Sequence, residues 1–238
     1  MTDPLVSVIM TVYNCEKYVE EAVRSILNQT YSNYEFIIYN DGSTDETMNK
    51  ILPLFEGFDK HFEIVSSEEN NGVGYGRNKA IELAKGKYIA IADGDDISEP
   101  NRLEKEVAFL EDNIHIFCVS SAMVFMDVAG RIGKTQKMPL DHIQILGRMI
   151  QDSVNSIHDP AAMFKREEFV FLGGYSRGVK YVPDFDLWLR AIKQGMKFHN
   201  LQHPYVKYRK NPEGNCMKHT KALLEEHKVV WNRFHNRE

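Results

Sequence analysis

Apolar and polar positions in the first hundred residues follow two alternating rhythms. Residues 5–12 form a continuous, largely apolar run with β-branched members, the pattern of a strand buried on both faces. Asn14 is placed to cap a helix with Glu16 in its first turn. Tyr18, Val19, Ala22, Val23, Ile26 and Leu27 then recur at helical spacing. Residues 36–39 read as a second strand, Ser43 and Glu46 as a capping box opening a helix towards Phe55, and 62–65 as a third strand. A glycine-rich turn over 72–76 leads into a helix over 79–85 that Gly86 closes. Residues 88–92 make a fourth strand, short and apolar. This alternation predicts βαβ units and a mostly parallel sheet.

The second half is less regular. The pattern predicts a strand over 116–126 with a turn at 127–130, a helix over 140–150, a short strand over 161–164, and a helix over 185–192 that ends near Gly195. The tail, 220–236, is amphipathic, with Leu223, Val230, Trp231 and Phe234 on one side. It can pack on its own chain, pair two subunits or lie on a membrane. Its Lys221, Lys228 and Arg233 are offset by Glu225 and Glu226, which argues against strong attraction to anionic lipid.

Parallel sheets bind ligands at the carboxyl ends of their strands. Polar residues follow three of the strands here. Tyr13 and Asn14 come after the first, the run from Asn40 to Asp45 after the second, and Asp93-Gly94-Asp95-Asp96 after the fourth. Carboxylates this close repel one another, and a hard divalent cation such as Mg²⁺ or Mn²⁺ removes that cost. Asp41 can accept a hydrogen bond from a base N–H or a ribose hydroxyl. Arg77 suits either a surface ion pair or a diphosphate clamp.

Composition sets the outer bounds. The chain has 238 residues, 43% apolar and 26% charged, which fits one folded domain with an appendage. The net charge of −5, from 34 acidic and 29 basic residues, gives no reason to expect nucleic acid as a ligand. No apolar run is long enough to span a bilayer, and no leader sequence is evident. Cys15, Cys118 and Cys216 are too far apart for a disulfide framework or a metal site, so a reducing cytoplasm is the expected setting.

Four segments in order resemble the large family of inverting nucleotide-sugar glycosyltransferases of family 2 type. They are VSVIMTVYN at 6–14, NDGSTDET at 40–47, GRNKAIELAKGKYIAIADGDD at 76–96 and PDFDLWLRAIKQG at 183–195. The resemblance implies the GT-A fold: an α/β architecture with a Rossmann-like, mostly parallel central sheet flanked by helices. It divides the chain into a transferase domain over 1–210 and a helical extension over 211–238. Within the domain, 1–110 would bind the nucleotide sugar and 111–210 the acceptor.

Roles follow residue by residue from the resemblance. Thr11, Tyr13 and Asn14 would line the nucleotide pocket, Asp41 would bind uracil, and Asp93 would lie near the ribose. Asp95 would coordinate Mn²⁺ or Mg²⁺ on the diphosphate. Asp184 would be the catalytic base, although the Glu that usually precedes it is Pro183 here. Asp186, two residues on along a helix, should point elsewhere. A His that often follows the Tyr-Arg pair is Asn211 here, with His219 as a substitute. The implied reaction moves a sugar from a UDP-sugar to a saccharide or lipid-linked saccharide in polysaccharide or glycoconjugate biosynthesis, in the cytoplasm or at the cytosolic face of a membrane. The alternatives are a sugar-phosphate nucleotidyltransferase and an inactive binding or scaffold subunit.

Overall fold

The structure is a computed structural model that describes residues 3–212 and 214–236, without the side chains of 215 and 216. The thiol of Cys216 therefore lies outside the described side chains. The chain runs β1 (Val6–Val12), α1 (Val19–Leu27), β2 (Tyr34–Asn40), α2 (Thr47–Ile51), β3 (Phe62–Ser66), α3 (Val73–Leu83), β4 (Tyr88–Asp93), β5 (Ile97–Ser98) and α4 (Arg102–Asp112). It continues with β6 (Ile116–Met126), β7 (Ile132–Gln136), α5 (His142–Leu146), β8 (Met163–Lys165), α6 (Arg166–Phe171), α7 (Pro183–Lys193), β9 (Lys197–Arg209), α8 (Asn215–Lys218) and α9 (Thr220–Phe234).

The strands join one sheet in the order β3-β2-β1-β4-β8-β6-β9-β5, with β7 on β6. The first four are mutually parallel, β8 is antiparallel to both its neighbours, and β9 runs parallel to β6. Alternate side chains of each inner strand enter opposite cores, as a sheet buried on both faces requires. Val8 and Met10 face α1, α2 and α4 on one side, and Ile9 faces α3, α7 and α9 on the other. The α1 stripe of Val19, Ala22, Val23 and Ile26 is buried as its spacing predicts. Among the described residues, no helix is long and apolar enough to cross a membrane.

Several local expectations fail for physical reasons. Asn14 does not cap α1. It adopts a left-handed φ of 47°, and its Oδ1 accepts the Thr44 N–H instead. Ser43 and Glu46 form no capping box. Asp45 accepts the Thr47 N–H, and Glu16 reaches across to accept the Glu46 N–H. The third helix begins inside the glycine run, because the sheet leaves no room for side chains there. A Cβ on Gly76 would lie 2.7 Å from the Tyr39 ring. Gly86 is not a helix cap: it lets the backbone pass Ser7, whose Oγ accepts its N–H. The turn expected at 127–130 sits in a β6–β7 hairpin whose second strand is wholly exposed. The tail packs on its own chain. Val230 enters the core, and Leu223, Trp231 and Phe234 lie against it.

Candidate active site

The strand order reverses at β1, which has β2 on one side and β4 on the other. This is the crevice where open α/β sheets take ligands. Register places Thr11 beside Tyr39 on one flank and Asp93 on the other, and Val12 beside Asn40. The residues read as nucleotide-lining therefore share one edge of the sheet. Tyr13 is 43% exposed there and available for stacking. Asn14 and Ser43 tie the loops after β1 and β2 together, since the Asn14 N–H donates to Ser43 Oγ. Asp41 is buried, and its two oxygens accept the N–H groups of Asn71 and Gly72 at 2.9 Å each. It thus fixes the entry to α3 while keeping a lone pair on each oxygen.

The acidic turn after β4 is held by the far end of β9. The Arg209 N–H donates to Asp96 Oδ1, and its Nε donates to the Asp95 carbonyl. Its guanidinium also reaches Glu21 and lies over the Tyr18 ring. Burial and the nearby Asp93 push the Asp95 carboxyl up to about 6, against a hydrogen bond from the Asn211 side chain. Asn211 is thus the partner beside Asp95. His219 lies against the Tyr181 ring. Asp96 is pushed up by burial and by Asp95, and one of its carboxylate oxygens has no partner. Gly94 brings the turn onto β1, where a Cβ would meet Val12 at 2.9 Å.

Arg77 is neither a surface ion pair nor a free clamp for a diphosphate. It is buried, and its guanidinium bridges Asp93 at 2.7 Å and Asp159. Burial disfavours its charge, but Asp159 and Asp93 outweigh that and hold it protonated. Asp159 is pushed up to about 7 by burial, despite Arg77. The Tyr175 hydroxyl donates weakly to the same carboxylate, and Asp184 acts electrostatically on both Arg77 and Asp159. Asp93, expected on the donor side, therefore shares one buried guanidinium with Asp159, and Asp184, expected on the acceptor side, acts on it electrostatically.

Asp184 lies in the first turn of α7, where Pro183 at the first position needs no N–H partner. Its Oδ2 accepts the Asn155 Nδ2 at 2.7 Å. Burial pushes its carboxyl up, while Arg77, the Phe185 N–H and Asn155 favour the charged form. Asp186 has a different duty, as the helical spacing predicts. It is buried and accepts from Ser176 and Arg190, which in turn holds the Leu172 and Gly174 carbonyls. Trp188, further along the same helix, is fully buried among Phe117, Phe164 and Phe198 and is a core residue.

A cavity of about 370 Å³ opens between the start of α3 and the loop before α7. Tyr75, Asn78, Tyr175, Arg177 and Lys180 are among its lining residues. Gly74 lines it too, and a Cβ there would lie 3.1 Å from Pro183, so the cavity adjoins the start of α7. Cys15 is partly buried, Cys118 fully, and both thiols are free. Burial pushes the Cys15 thiol up to about 12, an inert state. Sequence reading missed Asn155 and Arg209 as site residues, and the ion-pair duty of Asp159. Of the three, Arg209 alone carried a signal, as the second residue of the Tyr-Arg pair.

A family model described as glycosyl transferase family 2 matches residues 7–171. Over 207 residues the chain is 32% identical to the O-antigen biosynthesis glycosyltransferase WbnJ of Escherichia coli, covering 86% of this chain and 79% of that protein. The fold is similar to S. aureus TarS residues 1–349, solved with UDP-GlcNAc, at a TM-score of 0.74 and 23% identity. That match covers 98% of this chain and 72% of the other. A mannosyltransferase from Pyrobaculum calidifontis, solved with GDP-Man and Mn²⁺, matches with a TM-score of 0.72 at 21% identity, covering 100% and 66%. The sheet and its flanking helices are those of the GT-A fold.

Proposed function

The chain belongs to glycosyl transferase family 2, and from that premise we propose that it transfers a sugar from a UDP-sugar to a saccharide or lipid-linked saccharide acceptor, with inversion. One observation carries the reading: Arg77 bridges Asp93 and Asp159, and the charge of Asp184 at the start of α7 acts on the same guanidinium, which links the acidic strand end to the first turn of α7.

On the donor side, Thr11, Tyr13 and Asn14 line the nucleotide crevice and Asp41 receives the base. Each of its oxygens already takes one backbone N–H and keeps a lone pair, which can accept the imide N–H of uracil. Asp93 lies towards the ribose. Asp95 is the ligand for Mn²⁺ or Mg²⁺. The donor set fits such a cation: hard oxygen atoms, a carboxyl raised by burial and by Asp93, and a buried carboxylate oxygen on Asp96 without a partner. Among the described residues, no three His, Cys, Asp or Glu side chains form a ready-made cage. Mg²⁺ sites often use one or two carboxylates completed by substrate phosphates. When bound, the cation would supply charge neutralisation for the departing diphosphate.

Asp184 takes the proton from the acceptor hydroxyl as that oxygen attacks the anomeric carbon. One displacement inverts the centre, so an α-linked donor gives a β-linkage. The cavity beside Pro183 would take the acceptor. An enzyme of this family related to WbnJ fits polysaccharide or glycoconjugate assembly in the cytoplasm or at its membrane face. The test is UDP release from a set of UDP-sugars with Mn²⁺, with and without saccharide acceptors. Metal-dependent release is the expected result. A protein that binds UDP-sugars but never releases UDP would be the scaffold alternative.

A further inference from the structure

Lys180, Tyr181 and Val182 enter α7 with three consecutive N–H groups, and one carboxylate takes all of them. Glu226 of α9 accepts the Lys180 N–H at 2.9 Å on Oε1, and those of Tyr181 and Val182 at 2.5 and 3.0 Å on Oε2. No local side chain does this work. Val182 at the cap position receives no side-chain cap, and Pro183 has no N–H to offer. The next residue of α9 grips the other side of the same turn, as the His227 ring stacks on Phe185 at 4.0 Å with an interplanar angle of 9°. Phe185 is fully buried. Asp184 therefore sits between two points, Val182 and Phe185, that α9 holds.

We propose that α9 is part of the catalytic apparatus and that Glu226 is a positioning residue for Asp184, a role that rests on Asp184 being the base. The carboxylate organises the loop 180–182 by charge-assisted hydrogen bonds, and His227 keeps the first turn of α7 seated. With Asn155 on Oδ2, the Asp184 carboxylate is fixed by its own helix, by Asn155 and by α9. Glu226 touches neither Thr11, Asp41 nor Asp95, so nucleotide binding does not depend on it. Small displacements of a catalytic group are costly, up to ~10²-fold for about 1 Å.

The test uses the full chain with Glu226→Gln, Glu226→Asp and His227→Ala. Glu226→Gln should speed amide hydrogen exchange at 180–182. It should lower kcat by ~10–100-fold while the Kd for UDP with Mn²⁺ is unchanged. Glu226→Asp, which keeps the charge, should recover part of that loss, and His227→Ala should lower kcat with the same split. Faster exchange with wild-type kcat would overturn the proposal, because the clamp would then be structural only. Equal losses of UDP affinity and kcat would overturn it too, as would unchanged exchange. Should Glu226→Gln fail to fold, Glu226→Asp and His227→Ala carry the same decision. Wild-type turnover is measured first. A wild-type chain that transfers no sugar overturns the sugar-transfer reading and the catalytic role of Glu226 with it, whereas the exchange data, which need no substrate, report on the clamp by itself.

Discussion

Thr11, Asn40 and Asp93 reach the crevice as the ends of neighbouring parallel strands, and the register of β1 against β2 and β4 sets their spacing. The acceptor side is assembled differently. Asp159 and Tyr175 come from a 3-10 turn and a loop and meet through a side-chain hydrogen bond, and Asp184 comes from a helix start and is held by Asn155. The proposed donor half is a product of sheet geometry, and the proposed acceptor half of a polar network. Arg77 is the joint between them, a donor-half residue whose partners are Asp93 on one side and Asp159 on the other. Damage on the two sides should therefore look different in the test tube.

The largest effect should come from the acceptor side without touching the donor side. Asp184→Asn should lower transfer by ~10²–10⁴-fold, the usual cost of losing a general base. UDP affinity by calorimetry should be unchanged. Asp186→Asn should cost less in rate and more in stability, since it loosens Ser176 and Arg190. Wild-type transfer by Asp184→Asn would move the base elsewhere.

Breaking the joint should affect both halves together. Arg77→Met leaves Asp93 and the buried Asp159 without their cation. Removing one partner of a buried pair costs about 3–5 kcal/mol. Urea unfolding should show that loss, accompanied by weaker UDP binding. Stability within ~0.5 kcal/mol of wild type would mean that Arg77 is not the strut described here.

On the donor side, Asp95→Ala should lower metal-dependent turnover by ~10²–10³-fold, the scale of losing one charge-stabilising contact. The added affinity for UDP that Mn²⁺ confers should vanish, and the fold should persist, because the turn is also held by Arg209 through Asp96. Metal-stimulated binding in this variant would exclude Asp95 as the ligand.

The smallest effect is a shift in pH. Asp184 must be ionised to act as a base, so kcat/KM should fall as pH drops through its pKa. Burial has raised that pKa, which places the acid limb above the ordinary carboxylate range of about 3.9. Asn155→Ala removes a hydrogen bond that favours the charged form, so the limb should move to still higher pH. A limb that stays in place would show that Asn155 does not tune the base.

The same contrast explains what could be read from the residues alone. Strands β1, β2 and β4 are largely apolar runs buried on both faces, and polar residues follow each of them directly, so the parallel half and the acidic turn were legible. Strand β9 was not, because Pro204 and the polar residues around it hide a strand whose register against β6 shifts there. Helix α3 was placed late, because Gly74 and Gly76 read as a turn when they are sites of close approach to Pro183 and Tyr39. Asp184 was reached through a motif, and Arg77 was seen without its partner Asp159, a contact between distant segments that no local pattern encodes. Asn155 and Glu226 belong to the same class.

The proposed function requires the crevice at the ends of β1, β2 and β4 to bind a uridine nucleotide through a metal on Asp95. The most direct measurement is the unfolding free energy of the wild-type chain with UDP and with GDP, each with and without Mn²⁺. UDP with Mn²⁺ should stabilise it most, by ~2.7 kcal/mol at a hundredfold excess over Kd, with a smaller gain when the metal is omitted. A larger gain from GDP, or a gain from UDP that ignores the metal, would contradict the account.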